Sequence, residues 1–285
     1  MATTSAIQPI STPRKRARGF AITLRSLSTT KVILSSVAFY AFFITTIVGA
    51  IYPTMSQALN LNAYLGSSIV SGLAGTTNLK TYNTFPALLS IELYGSFYPL
   101  VFGGAIAYIA GAALPTTIEN GTIDLALVRP ISRTRYFLEM LLSAVLAGLV
   151  TSLTTLFAVW VSTLFVKNNG IDWNWAIIAQ LIEMAFFCFA IGVGMLFGSI
   201  MNASRAAGGA TLGIIGLGYL ISIVGTLSPN LDWLQRLGPF YYAKGADALV
   251  GHTITLWYPF VLLGVGAICV IAGLIIFNRR DLPTV

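Results

Sequence analysis

The chain has 285 residues, of which 56% are hydrophobic and 9% are charged, and its mean hydropathy is +0.82. This apolar content exceeds what the core of a soluble domain can bury, so the composition excludes an ordinary soluble fold. A net charge of +7 could indicate nucleic-acid binding, but the basic residues are spread over short segments between apolar runs. We therefore expect the bilayer to surround most of the chain, and no nucleic-acid partner.

The N-terminal segment divides into two parts. Residues 1–13 show no apolar periodicity and contain two prolines, so they are expected to form a disordered tail. In residues 14–31, Phe20, Leu24 and Leu27 recur at helical spacing beside basic side chains. This pattern predicts an amphipathic helix that lies on the cytoplasmic surface and contacts lipid head groups. The alternative is a plain basic topology signal.

Continuous apolar runs predict six transmembrane helices. A hydrocarbon core of about 30 Å requires roughly 20 apolar helical residues. The predicted spans are 32–52, 91–114, 136–166, 174–199, 206–227 and 257–277. The first of these runs is too long for the core of a signal peptide and is interpreted as a retained span. The predicted architecture is an all-α polytopic membrane protein, with a six-helix transmembrane domain over 32–277 and a cytoplasmic C-terminal tail over 278–285.

The positive charges are distributed unevenly between the two sides of the predicted bundle. Twelve of the 16 Lys and Arg side chains lie on the side that carries both termini. The other four, on the opposite side, are Lys80, Lys167, Arg236 and Lys244. Cytoplasmic loops carry the excess of Lys and Arg, so we expect a multi-pass protein of the plasma (cytoplasmic) membrane with both termini in the cytoplasm.

The predicted outer segment 228–256 is too apolar for a free loop. Its aromatic and leucine side chains surround Pro229, Gly238 and Pro239. This pattern predicts short re-entrant helices that enter the outer leaflet before the sixth span. The alternative is an interfacial cap with no part in transport.

The segment 115–135, between the second and third spans, contains the most informative pattern in the chain. We expect Pro115 to end the second span and Asn120-Gly121 to form a turn. Thr122 is a plausible N-cap for a short helix that stops at Arg129-Pro130. The segment therefore predicts a helix of about two turns on the cytoplasmic side.

This short helix would have an apolar face in a place where a loop should be polar. Ile123 and Leu127 are four residues apart and share one face, and Ser132 can cap the next helix. The flanking charged residues are Glu119, Asp124, Arg129 and Arg133. A rigid apolar helix with charges around it is suited to docking on a soluble partner.

The sequence IENGTIDLALVRPISRTRYFLEM resembles the coupling segment of the ABC-2 type permeases, which are the membrane subunits of a class of ABC transporters. In that family, acids, Gly-Thr, a Leu-rich turn and Pro-(Val/Ile)-Ser-Arg follow one another in this order and spacing. RLGPFYYAKGADAL and FNRRDL are similar to the family's outer segment and cytoplasmic exit. With the six-span layout, the resemblance covers the chain from the amphipathic helix to Asp281.

The resemblance implies a permease that pairs with a second copy or a related permease and is driven by an ATP-binding cassette subunit. It implies that the amphipathic helix acts as a connecting helix and that segment 119–133 contains the coupling helix. The residues that match the family motif are Glu119, Gly121, Thr122, Leu125, Pro130, Ser132 and Arg133. The chain has Glu119 alone where the family often has several acids, and Glu139-Met140 where it often has a basic residue.

ATP binding by this chain itself is not expected. A phosphate-binding loop requires GxxxxGK[S/T], and none of the five lysines follows a glycine. We therefore expect no enzyme activity, metal or cofactor in this chain, and ATP and Mg²⁺ in the partner subunit. An exporter is the first hypothesis. The alternatives are an ATP-independent secondary transporter or channel, and an envelope scaffold driven by an ATPase without moving a solute.

Inside the predicted spans, Glu183 is the one deeply placed acid. A carboxylate in hydrocarbon needs a polar partner, water or a proton, so Glu183 is a candidate pathway residue; the alternative is that it reaches toward the outer interface. Glu92 and Glu139 lie near span ends and are expected to be solvated. Gly209 and Gly213 mark a glycine-rich fifth span that could pack closely or act as a hinge.

Overall fold

The computed structural model describes residues 19–58, 84–95, 97–121, 131–227 and 231–280, and in these ranges every regular element is helical. The elements are α1 (Ala21–Ala58), α2 (Phe85–Glu92), a π-helical segment (Pro99–Gly103), α3 (Gly104–Glu119), α4 (Arg133–Thr163), α5 (Trp173–Ile200), α6 (Ser204–Leu227), α7 (Asp232–Gln235), a 3-10 helix (Pro239–Tyr241), α8 (Gly245–Gly251) and α9 (Trp257–Arg279).

Six of the described helices are long and apolar enough to cross a membrane: α1, α3 with the π-helical segment, α4, α5, α6 and α9. The predicted all-α polytopic fold is confirmed. The ends of α4, α5, α6 and α9 fall within three residues of the spans that the apolar runs predicted. Long uninterrupted runs locate helices well because the bilayer leaves few other solutions for the backbone.

The first span differs from the prediction at its N-terminal side. A boundary between an amphipathic helix and the span was expected at residue 31, but α1 runs without a break from Ala21 to Ala58. No glycine or proline interrupts the Ser/Thr-rich stretch, and its hydroxyls bond to the preceding turn: Thr30 Oγ1 donates to the Ser26 carbonyl at 3.0 Å. With 38 residues, α1 is about 57 Å long, well above the thickness of a hydrocarbon core.

The second span also differs from the prediction. It was expected over 91–114, but α2 ends at Glu92 and a turn separates it from the π-helical segment. Pro115 was expected to end the span, yet α3 continues through it to Glu119. The proline removes the amide that would bond to the Gly111 carbonyl, and the backbone of Gly198 on α5 packs directly against that carbonyl. Close packing with a neighbouring helix lets the helix pass a proline.

The bundle is organised around α5, which packs against α3, α4, α6, α8 and α9. In its most apolar stretch 72% of the residues are buried, compared with 17% for α1 and 22% for α9. Close approach of the backbones depends on glycines. A Cβ on Gly192 would lie 2.4 Å from the carbonyl oxygen of Gly266 on α9, so α5 and α9 can touch only without side chains there.

The two ends of the bundle differ in composition. The start of α1, the start of α4 and the end of α9 meet at one end, which we call the basic end. Its described cationic residues are Arg25, Lys31, Arg133, Arg135, Arg205, Arg279 and Arg280. The opposite end contains residues 231–256, which we call the cap. The three short helices of the cap confirm the short helices that were predicted before the last span.

The cap folds back onto the bundle. The Phe240 ring lies 5.0 Å from that of Phe186 on α5 and 5.4 Å from that of Tyr219 on α6. Pro239 packs against Gly218, where a Cβ would lie 2.8 Å from the proline ring. The cap therefore packs against the middle of α5 and the second half of α6 as a layer of the structure.

Candidate functional site

The predicted coupling helix falls in residues 122–130, which we call the connector. It lies outside the described residues, and so do the predicted contacts Thr122, Ile123, Asp124, Leu125, Leu127, Arg129 and Pro130. The structure describes both of its attachment points, Gly121 at the end of α3 and Ile131 before α4. The site is therefore built from these two ends.

At the first attachment point, α3 ends in the predicted turn. The Gly121 amide donates to the Ile118 carbonyl at 3.0 Å, and Gly121 has a φ of +61°, a backbone conformation that favours glycine. Glu119 faces the start of α6. One of its carboxylate oxygens accepts from the Ser204 amide at 3.0 Å and the other from the Ser204 hydroxyl at 2.5 Å. Glu119, predicted as a docking contact, thus caps α6 of its own chain.

At the second attachment point, the predicted cap of α4 is confirmed. The Ser132 hydroxyl accepts a hydrogen bond from the Arg135 amide at 3.2 Å. Arg133, the other matched residue here, turns toward the C-terminal end of α9. Its Nη1 donates to the Arg280 carbonyl at 2.6 Å and to the Asn278 carbonyl at 3.4 Å.

Arg280 extends this contact to α5. Its guanidinium donates to the carbonyls of Ser199 at 2.9 Å and Met201 at 3.2 Å, and also to the Asn202 side chain. Carbonyls at a helix C-terminus have no partner within the helix, and a cation there is favourable. We call Arg133 and Arg280 the arginine clamp. Through it the start of α4 and the ends of α5 and α9 are joined.

Glu139 is a site residue that the sequence prediction missed. It was expected to be solvated, but it is only 7% exposed. One oxygen accepts from the amides of Ile22 at 3.0 Å and Thr23 at 3.4 Å, and the other from Arg135 Nε at 3.0 Å. The carboxylate therefore caps α1 from the neighbouring helix α4. Its one sequence signal was Arg135 four residues earlier on the same face.

Glu183 lies in the interior, on α5. It is 0% exposed, so the prediction that it reaches toward an interface is wrong. Neither carboxylate oxygen has a hydrogen-bond partner. The backbone of the cap seals it: a Cβ placed on Gly245, the first residue of α8, would lie 2.6 Å from Glu183 Oε1.

A polar network lies one helical turn from Glu183 along α5. The Gln180 amide nitrogen donates to Ser152 Oγ at 2.8 Å and to the Tyr98 hydroxyl at 3.1 Å, and its oxygen accepts from the Tyr94 hydroxyl at 3.1 Å. The Tyr98 hydroxyl in turn donates to Thr155 Oγ1 at 3.0 Å. These buried groups thus bond one another across three elements of the bundle.

The glycines of α6 serve two surfaces. A Cβ on Gly208 would lie 2.5 Å from the Tyr108 ring of α3, so this glycine is required for packing. Gly209, Gly213 and Gly216 have no neighbouring atom within 4 Å of such a Cβ. Gly209 and Gly213 are exposed, and no atom of the described residues packs against them.

The described residues contain no group of three His, Cys, Asp or Glu side chains that could hold a metal ion. Cys188 and Cys269 are free thiols. The polar features of the described helices that bear on function are the caps, the arginine clamp, the Gln180 network and the carboxyl group of Glu183.

These features define a class: a multi-pass helical membrane protein in which the end of the second span and the start of the third are bonded to other helices at the basic end. Within that class, the chain belongs to the family described as "Protein of unknown function (DUF2705)", whose profile matches residues 42–283. No curated protein matches the chain.

Proposed function

We propose that this chain is the permease subunit of an ATP-binding cassette transporter and works as an exporter. A separate ATP-binding subunit would dock on the connector and drive the bundle. The observation that carries this proposal is that both helix ends that flank the connector are bonded to other helices of the bundle: Glu119 of α3 to α6, and Arg133 of α4 to the end of α9.

These attachments would allow a push on the connector to reach most of the bundle. Glu119 joins the end of α3 to the start of α6, and the arginine clamp joins the start of α4 to the ends of α5 and α9. These bonds involve charged side chains and join helices that are distant in the chain, so a displacement of one helix end would be passed to the helix that it contacts.

The connector's own sequence supports docking on a protein. In the predicted helix, Ile123 and Leu127 would share an apolar face in a segment flanked by charged residues. Beside its second attachment point lies a groove of about 430 Å³, formed by Gly19 and Phe20 before α1 together with polar and apolar residues of the first turns of α4. The groove gives a partner a concave surface next to the connector.

We assign the basic end to the cytoplasm, since it carries most of the cationic residues. This orientation would place the connector where an ATP-binding subunit could reach it, in the plasma membrane. ATP and Mg²⁺ would belong to that subunit.

A second copy of the chain, or a related permease, is the other proposed partner. The open side of α6 carries Gly209, Gly213 and Gly216, which leave the helix backbone accessible. Small residues at a helix surface permit close helix–helix contact in a membrane, and the contact supplies the packing energy. The α6 surface is therefore the proposed dimer contact.

An ATP-independent secondary transporter is a second candidate, and Glu183 is the observation that favours it. Buried acids without partners occur in carriers that move protons or ions. The described spans contain one such acid, on the unbroken helix α5, whereas both helix ends that flank the connector are bonded to other helices at the basic end. Transport by the purified chain in liposomes without nucleotide would favour the carrier.

The docking assignment is tested by purifying the tagged chain from its host and identifying what accompanies it. We expect a polypeptide with a GxxxxGK[S/T] loop, recognised by mass spectrometry, and ATP hydrolysis by the complex. The double variant Ile123→Asp/Leu127→Asp should lose both, because two charges would be pressed into an apolar contact.

Leu256→Asp is the matched control. It places one aspartate on an exposed leucine at the opposite end of the bundle, and co-purification should continue. If the connector variant retains its ATPase as fully as the Leu256 variant does, the connector is not the docking site.

A further inference from the structure

Glu183 is a buried acid whose negative charge, if present, no hydrogen bond would stabilise. Its two carboxylate oxygens are buried and have no hydrogen-bond partner. An ionised carboxylate in such a place costs many kcal/mol unless it is paired, so a bare anion is not stable there. Something must neutralise it.

The surroundings limit what that could be. No group of side chains in the described ranges could hold a metal ion, and cations such as Ca²⁺ need six or more oxygen ligands. The Gly245 backbone packs against the carboxyl group so closely that even a methyl group would collide with it. A proton is the one cation that needs no space.

We propose that Glu183 is a proton-binding site whose neutral form seals the cap onto α5. The proton comes from the aqueous phase when the cap closes and returns there when it opens. The carboxylic acid packs under Gly245 without charge, whereas the carboxylate is compatible only with a cap that admits water. The inference does not depend on the proposed function, because it uses contacts within the chain alone.

The groups around Glu183 permit this assignment. Tyr94 and Tyr98 lie near it, between α2 and the π-helical segment, and Lys244 and Asp247, whose charged groups are 3.7 Å apart, flank Gly245 in the cap. The charged residues of α3, α4, α6 and α9 lie at the basic end. None of the described groups forms a hydrogen bond to Glu183.

The direction of the pH effect follows from the two states. The closed cap holds one proton more than the open cap, so raising the pH favours the open cap. Where the carboxyl group ionises only in the open state, the ratio of open to closed molecules rises by up to about tenfold per pH unit. A glutamine at position 183 removes this dependence, because it carries no titrating proton.

Infrared spectroscopy of the purified full chain tests the proton directly. At neutral pH we expect the carbonyl stretching band of a protonated carboxylic acid, absent in Glu183→Gln. Labelling the glutamate carboxyls of the wild-type chain with ¹³C must shift that band, and this measurement requires no variant. A wild-type spectrum without the band, or a band that the label leaves unshifted, would refute the proposal.

Cysteine labelling tests the seal. Ala248→Cys, buried in the cap, is introduced after both natural cysteines are changed to alanine, and its reaction with a hydrophilic maleimide is divided by that of the exposed His252→Cys at the same pH. The ratio should rise with pH when residue 183 is glutamate and stay constant when it is glutamine. A ratio that changes equally in both, or in neither, would show that Glu183 does not control the cap.

Discussion

The buried or capping glutamates toward the two ends of the bundle differ in whether they accept hydrogen bonds. At the basic end, Glu119 and Glu139 each accept backbone amides at the start of another helix, and Glu139 also pairs with Arg135. Toward the cap, Glu183 is enclosed by packed backbone with no donor at all. The difference shows that a carboxyl group's role here depends on whether backbone amides or a cation donate hydrogen bonds to it, since Glu183 lies against the first residue of α8 and still has no donor.

The comparison also distinguishes glutamates that stabilise the fold from one that does not. A carboxylate that caps a helix supplies binding energy to free amides, which is a structural task. A carboxyl group that no donor satisfies costs stability, and such groups are retained for other reasons. The basic end should therefore lose stability when its acids are removed, and the interior should not.

The largest effect is expected for Glu139→Ala. The change leaves the Ile22 amide and Arg135 without their buried acceptor, which should cost about 3 kcal/mol. Thermal unfolding in detergent should show the loss as a fall of roughly 6 °C or more in the apparent Tm. Leu138→Ala, at the exposed neighbouring position, is the control and should change little. Equal shifts in the two variants would mean that Glu139 is no cap.

An intermediate effect is expected for Gln180→Leu, next to Glu183 on α5. The leucine removes the hydrogen-bond partner of the buried Tyr94 and Ser152 hydroxyls, which should lower the free energy of unfolding by about 2 kcal/mol. Glu183→Gln, one turn away, should be neutral or stabilising because no donor depends on the carboxylate. The two melting temperatures distinguish a satisfied network from a bare acid; a larger loss for the Glu183 variant would reverse the interpretation.

The smallest effect is expected for Glu119→Ala, because this cap is exposed. Loss of its bonds to Ser204 should cost about 0.5 kcal/mol, and added salt should reduce the difference from wild type. Asp172→Ala removes a comparable cap at the opposite end, where Asp172 accepts from the Asn174 amide at 2.9 Å. A much larger loss for Glu119 alone would indicate that joining α3 to α6 matters beyond capping.

Much of the fold could be predicted from the sequence because the bilayer restricts it. Apolar runs gave the ends of α4, α5, α6 and α9 closely, and a serine before Arg133 correctly predicted a cap. The predicted helix ends were wrong where contacts with other parts of the structure determine where a helix stops. Pro115 ended the predicted second span, but close packing of Gly198 on the bypassed carbonyl lets α3 continue. The boundary at residue 31 was expected because the residues before it are polar. Their hydroxyl groups bond to backbone carbonyls of the same helix, so α1 continues through them.

The candidate site was predictable in position but not in its bonds. The sequence pattern singled out Glu119 and Arg133, yet their partners Ser204 and Arg280 are 85 and 147 residues away. One sequence carries no signal for such pairs. Glu139 looked like an ordinary residue near a span end, because the helix start that it caps belongs to α1.

The arginine clamp also sets an order for assembly. Arg280 supplies the acceptor for Arg133 and the donors for Ser199 and Met201, and it is synthesised after all of them. Until the ribosome has completed α9, the start of α4 and the end of α5 lack this link. The clamp can therefore form only after α9 has been synthesised, although the helix ends of α4 and α5 that it joins precede α9 in the chain.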